Sequence, residues 1–151
     1  MLNKILVYIL LICSFSIYAQ NSWIRKDTVN GDPRGSCVSF VVDGECFIAT
    51  GRTFAKDKRN LYSYDPFQDD WDKETDLGGT TGEGLERSSA VAFTIDRKAY
   101  VSTGKGVAPF LKDLWEFDPE TRAWSQKANF EGNPRRQAVA FSIDSFGYVG
   151  T

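Results

Sequence analysis

The sequence predicts an all-β propeller built from four-stranded antiparallel blades. Three observations predict it. A unit of about fifty residues recurs along the chain, and such a period with four short strands marks a propeller. Each unit holds four short apolar and aromatic runs parted by turn residues. No segment sustains a helical period, and aromatic residues, which favour strands, make up 14% of the 151 residues.

The repeat can be followed residue by residue. Arg34-Gly-Ser-Cys-Val-Ser-Phe40 returns as Arg87-Ser-Ser-Ala-Val-Ala-Phe93, a shift of 53 positions (87 − 34). The same shift carries Thr50-Gly51 onto Thr103-Gly104, Leu61 onto Leu114, Tyr64-Asp65-Pro66 onto Phe117-Asp118-Pro119 and Trp71 onto Trp124, with no gap. A third copy opens at Arg135, where Ala138-Val-Ala-Phe141 repeats Ala90-Val-Ala-Phe93 at a shift of 48 (138 − 90). The units are therefore 34–86, 87–134 and a partial 135–151. The first is longer because of the Gly-rich stretch Gly78 to Gly84, which reads as a loop.

In the second unit, strand one is expected over Ala90–Ile95 and strand two over Ala99–Thr103, joined by Asp96-Arg97-Lys98. The matching Asp43-Gly44 of the first unit is a two-residue hairpin signal. Strand three runs Asp113–Asp118 and stops at Asp118-Pro119, because proline lacks a ladder donor and restricts the residue before it. Strand four, about Arg122 to Lys127, carries Trp124. A lone four-stranded sheet cannot cover its apolar faces, whereas radial stacking buries each face on the next blade. The three tryptophans Trp23, Trp71 and Trp124 sit at one repeat position, which points to packing between blades, with sugar stacking as the alternative.

Arginine opening strand one, Thr-Gly closing strand two, aromatic-Asp-Pro closing strand three and tryptophan in strand four together resemble the kelch motif. The likeness spans Trp23 to Thr151 and is nearest to secreted bacterial kelch and galactose-oxidase-like propellers. Kelch repeats usually close strand two with a Gly-Gly pair; this chain has Gly51-Arg52 and Gly104-Lys105. The resemblance implies a kelch-type β-propeller, here about two complete blades, a partial third and an orphan N-terminal strand.

That orphan is residues 20–33. Trp23 lies 11 residues before Arg34 (34 − 23), the spacing of Trp124 to Arg135 (135 − 124), so Trp23 belongs to a lone strand four. Since propellers typically need four or more blades, missing C-terminal blades of the same chain are expected beyond Thr151. A short product that assembles with its own copies is the alternative. Residues 1–19 read as a cleaved signal peptide, with Lys4 before an apolar run from Ile5 to Ile17 and small Ala19 at the cut. That places the protein in a secreted, periplasmic or cell-surface compartment, without a membrane anchor in the mature chain.

Charge and composition narrow the function. A formal charge of −2 offers no footprint for nucleic acid. Histidine is absent, which removes a common acid/base and metal ligand. No metal or other cofactor is expected. Asp70, Asp72, Glu74 and Asp76 form an acidic stripe on strand four, read as protection of an outer edge; the stripe lacks calcium-loop spacing. A hairpin turning at Asp43-Gly44 sets Cys46 opposite Val41 and Cys37 opposite Thr50, too far apart for a disulfide. Both cysteines are read as free thiols at small-residue packing positions.

The candidate ligand-binding residues are Arg34, Arg87, Arg135 and Arg136. The first three recur at the entry to the innermost strand, around one mouth of the central channel, where guanidinium suits carboxylates or sugar hydroxyls. The competing reading has each arginine tying blades together. Arg136 has no counterpart at Ser88 or Gly35, so it is the better carrier of specificity. The expected function is a non-catalytic binding or scaffold module taking a protein or carbohydrate ligand at the channel mouth. The alternative is a kelch-type enzyme such as a sugar-acid (sialic-acid-type) mutarotase, which the resemblance links to arginine and carboxylates. A galactose-oxidase-like copper oxidase is less favoured without histidine.

Overall fold

A computed structural model describes residues 23–29, 33–83, 85–107 and 110–150. The signal-peptide assignment at 1–19, residues 20–22 and 30–32 of the orphan segment, and Thr151 lie outside these residues. Among the described residues, no helix is long and apolar enough to cross a membrane.

The chain is all-β. Sheet I contains β1 (Val38–Val42), β2 (Glu45–Ala49), β3 (Leu61–Asp65) and β4 (Asp70–Lys73). Sheet II contains β5 (Val91–Ile95), β6 (Lys98–Ser102), β7 (Leu114–Asp118) and β8 (Ala123–Lys127). A C-terminal hairpin pairs β9 (Val139–Ile143) with β10 (Phe146–Gly150). Both four-stranded sheets are antiparallel meanders in chain order. The structure departs from the expected elements at a short 3-10 turn, Gly79–Thr81, inside the Gly-rich loop, and at the expected orphan strand, whose described residues 23–29 form no strand.

The turns explain the strand ends. Val42 pairs with Glu45 and Ile95 with Lys98, so each hairpin closes on two residues. Asp43 (φ 53°) and Gly44 (φ 79°) take the left-handed conformation that such turns require; Asp96 (φ 45°) and Arg97 (φ 63°) do the same without glycine. After strand three, the Asp65 carboxylate accepts from the Phe67 and Gln68 amides at 2.7 and 3.2 Å, and Asp118 accepts from Glu120 and Thr121 at 2.9 and 3.4 Å. The aromatic-Asp-Pro signature therefore has two parts: proline ends the ladder and aspartate holds the four-residue turn.

Sheet I lays Val38, Phe40, Val42, Phe47, Ala49 and Leu61 against sheet II, which answers with Ala99, Val101 and Phe117. Phe117 stands edge-on to Phe47 at 5.3 Å and tilted over Phe40 at 6.3 Å. The Trp124 indole donates across the interface to the Thr75 carbonyl at 2.9 Å. Trp71 donates likewise to Asp27 at 3.1 Å. Asp27 follows Trp23 by four residues, as Thr75 follows Trp71, so segment 23–29 occupies the place of a preceding strand four although it has no strand ladder of its own. The tryptophans at 71 and 124 thus pack between neighbouring units, while Trp23 is fully exposed.

Ion pairs repeat with the backbone. Glu74 meets Arg122 at 3.2 Å and Lys26 meets Asp69 at 3.8 Å, the same pair of repeat positions with the signs exchanged. Arg122 also grips Glu45 through two hydrogen bonds of 3.0 and 2.9 Å. Glu74 therefore faces the neighbouring sheet rather than joining an outer acidic stripe, and β4 ends at Lys73 before it.

Candidate functional site

The connections from strand two to strand three and from strand four to strand one gather at one end of the sheets. Gly35 bridges Arg52 there and Ser88 bridges Lys105. Backbone bonds stitch neighbouring units together at the same end: Gly51 N–H to Arg87 O at 2.9 Å, Gly104 N–H to Arg135 O at 2.8 Å, Ser89 N–H to Ser36 O at 3.0 Å and Gln137 N–H to Ser89 O at 2.9 Å.

Glycine is required where these strands approach. At Gly51 (φ 98°) a Cβ would lie 2.6 Å from Cys37 Sγ and 2.9 Å from Gly35 O. At Gly104 (φ 103°) it would lie 2.9 Å from Ser88 O and 3.2 Å from Ala90 Cβ. This accounts for a small residue at Cys37 and Ala90. Cys37 and Cys46 are free and half-buried, and burial raises both thiol pKa values above 9.0, so neither is poised as a nucleophile.

The recurrent arginines differ in surroundings. Arg87 is fully buried. Its guanidinium clasps the Asp113 carboxylate through bonds of 2.7 and 2.6 Å and donates to Thr103 O at 3.2 Å, while Nε donates to Leu85 O at 3.2 Å. Burial pushes the Asp113 carboxyl up, but Arg87's bonds and charge, with the Trp115 indole, outweigh it and hold the carboxyl below 3.8. Arg87 thus ties strand one to the ends of strands two and three within its own unit. Its backbone carbonyl, rather than its side chain, reaches the preceding sheet.

Arg34 has Asn60 where Arg87 has Asp113. Its guanidinium lies over the Tyr62 ring at 5.4 Å, with one contact of 3.5 Å to Thr50 O. Arg135 lies over Phe130 at 4.9 Å and donates to Asn133 O at 3.1 Å. Arg136 is exposed and lies over Phe110 at 5.6 Å. The structure therefore does not gather the four arginines into one open cluster.

An open groove of about 420 Å³ lies at this loop end, lined by Arg52, Ala55, Lys56, Asp57, Glu86 and Val107. Arg52 is half-exposed and pairs with Asp57 at 3.0 Å. Asp57's other oxygen is buried without a protein partner. Phe54 and Val107 stand fully out to solvent. Arg52 and Lys105 hold one repeat position, the one after Gly51 and Gly104. Reasoning from the sequence missed them as site residues, although the signal was visible as a basic residue in place of a second glycine in both units. The Gly-rich loop is pinned rather than open: Arg59 donates to Leu77 O at 2.9 Å and Gly79 O at 2.8 Å. No group of three or more metal-ligating side chains occurs among the described residues.

No family profile matches the chain, and no curated protein matches it. The fold does have solved counterparts. A structure described as that of YjhT superposes with a TM-score of 0.73 at 17% identity, over 87% of this chain and 48% of that one. At that identity the likeness concerns fold alone, and it makes the arrangement of sheets propeller-like. The chain spans about half the length of that structure.

Proposed function

We infer that the chain is part of a kelch-type β-propeller acting as an exported, non-catalytic binding module, and that it engages the carboxylates of a protein or glycan ligand at the loop end. The observation that carries this reading is the groove beside Arg52 and Lys56, with Lys105 and Arg136 exposed on the same end and Phe54 and Val107 standing free beside them. Guanidinium and ammonium groups next to apolar side chains suit an anionic ligand with an apolar body. Arg34, Arg87 and Arg135 then serve the scaffold, and Arg136 remains with the ligand.

The test is calorimetric titration of the full chain with an acidic oligosaccharide, its neutral reduced form and an acidic peptide. The reading expects saturable binding of an acidic ligand that weakens at least about tenfold in Arg52→Ala/Lys105→Ala and weakens with added salt. Equal binding by the double variant, or preference for the neutral sugar, overturns it. A sugar-acid mutarotase is the second reading, favoured by Asp57 and Glu86 opening onto the same groove as Arg52. It expects faster anomer exchange of a sugar acid by NMR, lost in Asp57→Asn.

A further inference from the structure

The loops joining β2 to β3 and β6 to β7 belong to the two complete units and share one outline. The repeat shift of 53 carries Arg52 onto Lys105 and Phe54 onto Val107 (107 − 54). In each loop a basic residue follows the glycine, and an apolar residue stands two places further on. Phe54 and Val107 are both fully out in solvent. Their loops are held from below. The Thr53 hydroxyl accepts from the Lys56 amide at 3.1 Å and donates to Lys56 O at 3.0 Å, which fixes Phe54 and Ala55 at the tip. Gly106 is buried, with Glu86 O 2.8 Å from where its Cβ would lie, and Val107 turns outward beside it. One bare apolar side chain is ordinary on a protein surface. The same position left bare on two neighbouring loops is a pattern.

Charge separates this end from the other. Arg52 shares its charge with Asp57 at 3.0 Å, and Glu86 is answered by Arg59 at 3.6 Å. Lys56, Lys105 and Arg136 are exposed and enter no ion pair among the described residues. The exposed acids of this end, Glu83 and Glu131, sit on the strand-four-to-strand-one connections rather than on the loops that carry the tips. The opposite end also exposes an aromatic, Phe67. Phe67, however, stands among Asp65, Asp69 and Asp70, and its repeat equivalent is Glu120. The formal charge of −2 therefore conceals an end where apolar tips coincide with unpaired cations.

We propose that the loop end is a peripheral docking surface for an anionic lipid bilayer. Phe54 and Val107 enter the interfacial region, and Lys56, Lys105 and Arg136 meet the lipid phosphates. Convex tips on separate loops need a matching cavity in a folded partner, whereas a bilayer yields to them. Water-facing cations beside apolar tips are the arrangement that a membrane interface stabilises. The contact is reversible, since two short tips and a few charges do not anchor a protein. It shares Lys56 and Lys105 with the groove but is made by the tips, so the two can be measured apart.

The test sediments the full chain with vesicles of phosphatidylcholine containing about one-third phosphatidylglycerol. Partition should be at least about tenfold stronger than onto phosphatidylcholine alone and should fall with added salt. Phe54→Ser/Val107→Ser should weaken it at least about tenfold with near-ultraviolet circular dichroism unchanged, because neither side chain packs on the fold. Phe67→Ser, at the acidic end, should leave it unchanged. Equal partition onto neutral vesicles overturns the proposal, as does full partition of the tip variant or an equal loss in Phe67→Ser. Self-association without vesicles that the tip variant abolishes overturns it too, since a second copy then covers the tips. Titration with the acidic oligosaccharide in the absence of vesicles reads the groove alone. Binding there without vesicle uptake overturns the membrane proposal and leaves the groove reading standing; vesicle uptake without that binding does the reverse.

Discussion

β1 and β9 hold the same repeat position and share the Val-x-Phe-x-aliphatic pattern, yet they meet different surroundings. Val38, Phe40 and Val42 are 6%, 6% and 4% exposed, whereas Val139, Phe141 and Ile143 are 57%, 51% and 55% exposed. The stacked pairs inside each unit are alike: Phe40 on Phe47 at 5.3 Å, Phe93 on Tyr100 at 5.3 Å and Phe141 on Tyr148 at 5.2 Å. The local hairpin is therefore set by its own sequence. Burial comes from the neighbouring sheet, which β1 has in Ala99, Val101 and Phe117 and β9 lacks among the described residues. A strand in a stacked-sheet fold is stabilised mainly by what lies against its face.

The largest effect that sharpens this comparison is aromatic truncation at the two positions. Phe40→Ala should cost about 3–5 kcal/mol, as for a buried core aromatic, and Phe141→Ala under about 1 kcal/mol. Urea unfolding of the full chain measures both. Equal costs would break the comparison, because burial would then not govern the difference.

Arg87 and Arg34 make the next pair. Arg87→Ala leaves the mostly buried Asp113 carboxylate without its partner and should cost about 3 kcal/mol or more. Arg34→Ala, which removes a ring contact with Tyr62 and a 3.5 Å contact to Thr50 O, should cost about 1 kcal/mol or less. The same denaturation experiment reads the gap.

Glycine positions give a smaller contrast. Gly104→Ala combines a left-handed backbone with a close carbonyl and should cost about 2–3 kcal/mol, whereas Gly44→Ala, left-handed but with open space around its Cβ, should cost about 1 kcal/mol. Thermal melting of the two variants tests the difference.

Acid stability is the smallest effect. Asp113's folded pKa is held below its unfolded value, so its contribution is complete above the unfolded pKa near 3.8 and is lost as pH falls through the folded value. Asp113→Asn should therefore flatten the stability curve only below about pH 4 relative to the parent chain. A parallel fall in both proteins across that range would show that Asp113 does not contribute.

Much of the architecture was legible in the sequence. The Asp43-Gly44 turn set the β1–β2 register, and Val41 does face Cys46. Strand ends fell within a residue or two of the aromatic-Asp-Pro and Thr-Gly marks, since both are properties of a few consecutive residues. The site was less legible. Arg34, Arg87 and Arg135 are one motif on paper, but Asp113 stands where the first unit has Asn60, so one guanidinium is buried in a carboxylate clasp and another lies on a tyrosine ring. Arg52 and Lys105 show in the sequence only as departures from a glycine pair, and it is the folding of the two loops onto one end that gives them a shared surface.

The sequence by itself determined the strands, their turns and their order within each unit, because hydrogen-bond register and turn chemistry act over a few neighbouring residues. The tertiary structure decided which side chains are inside. Glu116, on an alternating strand that suggests one wet face, is nearly buried, because both faces of a stacked sheet can be covered. Its carboxyl is pushed up by burial and brought back down by Tyr100, Lys127 and Lys98. Those partners come from the two flanking strands, β6 and β8, and only their pairing on either side of β7 brings the charges within reach of one another.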